Sequence, residues 1–127
     1  MKRQRAGLFL IPIFLVLLMF VGTAFADKAS VSIEAPTDVA KGSEITVRLI
    51  ITHSANNFFH YVEWVRVWIN NQEFIKWEYS ASKRPEEATF TKEIKYTVKE
   101  NMEIKSEASC NIHGSKGPAI LKVSVKE

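Results

Sequence analysis

From Glu44 to Thr52 the apolar side chains fall on every second position: Ile45, Val47, Leu49 and Ile51, with Thr46 and Arg48 between them. A period of two puts one set of side chains on a buried face and the other in water, which is a half-buried strand. The pattern recurs. Ser30 to Ala35 alternates and is stopped by Pro36, and Thr37 to Gly42 reads as a turn. Phe58 to Ile69 is rich in aromatic and β-branched residues, Asn70-Asn71 suits a tight hairpin turn, and Gln72 to Tyr79 returns. Ala88 to Val98, Met102 to Cys110 and Ile120 to Val125 complete the series. About seven short strands with turn signals between them predict an all-β fold, an immunoglobulin-like antiparallel β-sandwich.

The first 26 residues follow a different logic. Lys2, Arg3 and Arg5 precede an unbroken apolar run from Leu8 to Val21, and Ala24-Phe25-Ala26 places small residues where a signal peptidase reads. This order predicts a signal peptide over 1–26, cleaved after Ala26, and a domain over 27–127. An uncleaved anchor is the alternative, because the stretch is just long enough to span a bilayer. The expected location is periplasmic or extracellular, with no membrane attachment after cleavage.

Cleavage also settles the charge. The chain carries 17 Lys and Arg against 14 Asp and Glu, and its three leader cations account for the difference. The mature domain is neutral, which excludes a nucleic-acid partner held by a basic face.

A single cysteine, Cys110, cannot form an internal disulfide. In an exported chain a lone thiol is a liability, an intermolecular bridge or a metal ligand. Cys110 continues the inward parity of its strand and stands three residues before His113, in Cys110-Asn111-Ile112-His113-Gly114. The other two histidines, His53 and His60, end one predicted strand and begin the next. Every histidine therefore sits at a strand end, and together with the thiol they form a sulfur–nitrogen donor set. Taken singly, His53 and His60 read as ordinary surface histidines. Trp64, Trp68 and Trp77 read as core and edge aromatics, and Met102 as a packing residue.

His60-Tyr61-Val62-Glu63-Trp64-Val65, followed by Cys110-Asn111-Ile112-His113-Gly114, resembles the iron domain of superoxide reductases, the desulfoferrodoxin/neelaredoxin family. Upstream, Ile33-Glu34-Ala35-Pro36, Val39 and Lys41-Gly42 resemble the stretch after that family's Glu-Lys-His motif, so the likeness covers nearly all of the mature domain. It implies a mononuclear iron site, with His53, His60 and His113 equatorial and Cys110 axial, and an oxidoreductase that reduces superoxide to peroxide. It also implies an electron-donor protein and an anion-attracting lysine, Lys28. A thiolate trans to the reacting position would push electron density toward it.

The sequence departs from the family pattern in three places. The Glu-Lys-His motif falls on Asp27-Lys28-Ala29, so alanine stands at the fourth histidine. The two upstream histidines are one residue further apart than in the family, with Ser54 in place of the usual proline. Ser115-Lys116 replace the aromatic after His-Gly. The expectation is a labile iron site with reduced reactivity, in which water, the Asp27 carboxylate or the α-amino group of a processed Asp27 stands in for the lost imidazole. Two other readings remain open: a cupredoxin-like copper carrier, which shares a Cys-x-x-His loop on a β-sandwich, and a metal-free binding or carrier module on the same fold. The partners expected are superoxide or another small anion and an electron donor, with a homo-oligomer also compatible.

Overall fold

The computed structural model describes residues 27–127, so the expected leader over 1–26 lies outside the described residues. Eight strands form: β1 Ser30–Glu34, β2 Asp38–Ala40, β3 Glu44–Thr52, β4 Val62–Ile69, β5 Gln72–Glu78, β6 Phe90–Thr97, β7 Met102–Cys110 and β8 Ala119–Lys126. They make two sheets, β1-β3-β6 and β2-β8-β7-β4-β5. The all-β sandwich expected from the alternation is what the chain adopts.

The core lies between the sheets. Ile45, Val47, Leu49 and Ile51 of β3 are all buried, and they meet Val65, Val67 and Ile69 of β4 with Met102, Ile104 and Ala108 of β7. Burying each of these larger side chains stabilises the fold by about 1.5–3 kcal/mol. Ser106 is the polar exception on the inner face of β7. It is fully buried, and its hydroxyl donates to the Arg66 carbonyl at 2.9 Å, which removes the cost of an unpaired oxygen.

Asn70 and Asn71 both take positive φ, 51° and 65°, the primed-turn geometry that matches strand twist between β4 and β5. The three tryptophans are half-buried, and each lies under a cation: Arg66 over Trp64 at 4.7 Å, Lys105 over Trp68 at 4.9 Å and Lys92 over Trp77 at 5.9 Å.

Two details differ from the sequence reading. The segment read as a turn over 37–42 contains β2, which runs parallel to β8 with Val39 opposite Val125, so the sandwich is not wholly antiparallel. Pro36 ends β1, and the chain then crosses to the other sheet, where Thr37 accepts from the Ser124 amide. The strand expected from Phe58 begins only at Val62. Asn57 is the cause: its side-chain oxygen accepts from the amides of Phe59 and His60, both at 3.0 Å, and closes a local turn that takes these residues out of the ladder.

Candidate metal centre

Four chain segments converge at one end of the sandwich. Ser30 at the start of β1 pairs with Thr52 at the end of β3, and Val62 at the start of β4 pairs with Cys110 at the end of β7. The residues just beyond these ends are Asp27 to Ala29, His53, His60 and His113. A bulge at Glu63 shifts the register between Val62 and Trp64, so Val62 faces inward beside Cys110 while Val65 keeps the core phase further along.

Period two carries His53 inward from β3, where it is 5% exposed. Its Nδ1 lies 2.7 Å from the Ala55 carbonyl oxygen, which fixes the ring and leaves Nε2 facing the interior of the cluster. The rings of His53 and His60 meet edge to face at 4.6 Å, and those of His60 and His113 at 5.1 Å. His60 Nε2 is 3.4 Å from His113 Nδ1, and Cys110 Sγ is 4.0 Å from the same His113 nitrogen. Donor atoms of His53, His60 and Cys110 all lie within 4.8 Å of one another. Burial, and then the neighbouring His53, lower the pKa of His60 from its ordinary value, which favours the neutral ring that can donate a lone pair.

The loop after β7 is shaped to present sulfur. Cys110 and Gly114 exchange two backbone hydrogen bonds, at 2.9 and 3.1 Å, which closes the turn. Gly114 sits at φ 78°, where a side chain would strain the backbone. Inside this turn the amides of Ile112 and His113 point at Cys110 Sγ from 3.4 and 3.5 Å. Two N–H groups aimed at one sulfur fix its position and leave it directed into the cluster.

Asn111 joins this turn to the His60 loop. Its Nδ2 donates to Phe59 O at 3.1 Å, its Oδ1 accepts from Tyr61 N at 3.0 Å, and its own amide donates to Tyr61 O at 3.1 Å. Asn111→Ala keeps every donor atom but releases this clamp. Metal affinity is expected to fall about 10- to 100-fold, the usual effect of losing an outer contact that positions ligands, with a stability loss of about 1–3 kcal/mol. Titration with a metal ion and chemical denaturation measure the two effects separately.

The donor set fits a transition-metal ion. One thiolate with prearranged N–H contacts and three imidazoles, each with a ring nitrogen turned inward, suits iron, copper or zinc, whereas calcium and magnesium prefer oxygen ligands.

The family model for desulfoferrodoxin matches residues 22–115, which take in every residue of this cluster. The chain belongs to the desulfoferrodoxin family. No curated protein matches the sequence. Among solved structures, a variant of the superoxide reductase (neelaredoxin) from Ignicoccus hospitalis is similar, with a TM-score of 0.67 and 19% identity over 81% of this chain and 85% of that one. A candidate superoxide reductase from Thermotoga maritima is similar at a TM-score of 0.59 and 21% identity, covering 77% of this chain and 86% of that one. The sulfur carrier protein SoxY from Chlorobium limicola shares the architecture at a TM-score of 0.56 and 10% identity, over 87% and 96% of the two chains. At these identities the structural likeness speaks to the fold. The desulfoferrodoxin fold here is the β-sandwich expected from the alternation, and the family is the one the His60 and Cys110 motifs resemble.

Of the residues singled out in the sequence, the structure brings His53, His60, Cys110 and His113 together. Lys28 is exposed and lies between Asp27, which touches the cluster, and Ala29, which is fully buried and bonded to the Cys110 loop through Gly114 O at 3.2 Å. Asn57 and Asn111 were missed as positioning residues. Their signal was present in type, since asparagine commonly accepts from nearby backbone amides, but their partners are set by tertiary contact.

Proposed function

We propose that this desulfoferrodoxin-family chain is an exported mononuclear iron protein that reduces superoxide to peroxide with an electron from a donor protein. The observation that carries the reading is the convergence of His53, His60, His113 and Cys110 at one sandwich end, in a chain of this family. Iron, when bound, supplies the one-electron reductant. The remaining chemistry belongs to the chain.

The Nε2 atoms of His53 and His60, Nδ1 of His113 and Sγ of Cys110 would hold the ion. The Ile112 and His113 amides fix the position of the sulfur. Lys28, exposed beside the cluster, attracts the anionic substrate and offsets the nearby Asp27 carboxylate. One electron and two protons convert superoxide to hydrogen peroxide, and solvent reaches the site past His113, whose side chain is 41% exposed. Export rests on the basic start, apolar run and Ala24-Phe25-Ala26 of the leader.

The test is anaerobic purification from the exported fraction with metal analysis, mass spectrometry and stopped-flow mixing with superoxide. The expected result is iron near one per chain, a chain beginning at Asp27, and superoxide consumed without oxygen release. Copper at that stoichiometry would indicate an electron carrier instead. Absence of any transition metal would sink the reading, and Met1 still attached would mean an anchored protein.

A further inference from the structure

The chain lacks the fourth family histidine because position 29 is alanine, yet the structure places another donor against the cluster. Asp27 O lies 3.0 Å from His53 Nε2. His53 Nδ1 is already 2.7 Å from the Ala55 carbonyl. The Ala55 carbonyl holds the ring through Nδ1, so Nε2 is the nitrogen that faces the cluster, with Asp27 O beside it. The shorter contact is to Ala55, which leaves His53 Nε2 and Asp27 O as the facing pair. Two donors about 2.1 Å from one cation and at right angles to each other are about 3.0 Å apart. The separation is the bite of two neighbouring ligands on one ion.

Resting on the reading of this end as a metal centre, we propose that the main-chain carbonyl oxygen of Asp27 is a metal ligand that replaces the imidazole missing at position 29. The Asp27 side chain is engaged elsewhere. Its Oδ1 accepts from Ser54 Oγ at 3.3 Å, and its Oδ2 lies 3.9 Å from His113 Nε2, the ring nitrogen opposite the one that faces Cys110 and His60. The carboxylate thus orients His113 from behind while the carbonyl turns toward the donors. Hydrogen bonds at the next turn of chain hold this arrangement: Ala29 N donates to Gly114 O at 3.2 Å and Ala29 O accepts from Lys116 N at 2.9 Å. The assignment does not depend on leader cleavage, because Asp27 keeps its carbonyl either way. Exchanging an imidazole for a carbonyl leaves the charge of the site unchanged and adds a hard oxygen, which shifts preference from copper(I) toward harder ions.

The test is triple-resonance NMR of the isotope-labelled full chain, read before and after addition of zinc(II) as a diamagnetic probe. The Lys28 amide reports the Asp27 carbonyl carbon. The expected result is a downfield displacement of that carbon well outside the range of its neighbours, together with shifts of the ring nitrogens of His53, His60 and His113. Asp27→Ala should retain the carbonyl displacement, since it removes only the carboxylate. Ring nitrogens that shift while the Asp27 carbonyl carbon does not would overturn the proposal and leave the metal centre intact. Loss of the displacement in Asp27→Ala would also overturn it, in favour of the carboxylate. Unmoved ring nitrogens would remove both the metal centre and the proposal.

Discussion

Cys110→Ser is expected to abolish the thiolate-to-metal charge-transfer band of the oxidised, metal-loaded protein and to weaken binding of soft and borderline ions by at least about 100-fold, roughly 3 kcal/mol or more. The hydroxyl is a hard, weak ligand where the sulfur is a soft one. The change also sets back, on a shorter bond, the atom at which the Ile112 and His113 amides point from 3.4 and 3.5 Å. Serine is smaller than cysteine at a site only 2% exposed, so the sandwich itself should fold. Absorption spectroscopy after oxidation, with metal titration, decides the matter. A band that survives the substitution would show that Cys110 is not a ligand.

Ala29→His is expected to act in opposite directions with and without metal. Ala29 is fully buried, so an imidazole there must displace neighbours, and the metal-free protein should lose about 1–3 kcal/mol. With iron bound, the fourth imidazole should tighten retention and speed superoxide consumption, so the stabilisation on metal addition exceeds that of the parent. The same substitution should release the Asp27 carbonyl from the ion. Thermal unfolding with and without metal, stopped flow and the carbonyl resonance of Asp27 give three independent readings. If metal stabilises the variant no more than the parent, position 29 does not reach the ion.

Much of this was legible in the sequence because β-structure with one wet face writes itself as alternation. Ile45, Val47, Leu49 and Ile51 could be placed on an inner face before any coordinates, and so could the inward parity of His53 and Cys110. The His60 and Cys110 motifs likewise resembled the family the chain belongs to. The extended segment at Phe58 and Phe59 misled, since aromatic composition fits a strand equally well. The deciding influence was the Asn57 side chain, which takes two backbone amides for itself and leaves Phe59 77% exposed. The parallel strand β2 is three residues long and carries too few positions for a period to show. The Asp27 carbonyl could not have been found by pattern at all, because every residue has one and only the fold decides where it points.

The convergence of strand ends has a further consequence for how the chain holds together. His60 and His113 stand 53 positions apart in sequence, His53 follows a strand of one sheet, and Cys110 ends a strand of the other. An ion shared among them works as a clip between the two layers. By the loop-entropy relation used for covalent cross-links, closing a span of that length withdraws about 4 kcal/mol of freedom from the unfolded chain. Metal ligation is exchangeable, so the clip is reversible where a disulfide would be permanent. Loading and loss of metal would then set the unfolding midpoint of the whole domain, and a chain with one cysteine would gain the kind of staple that usually takes two.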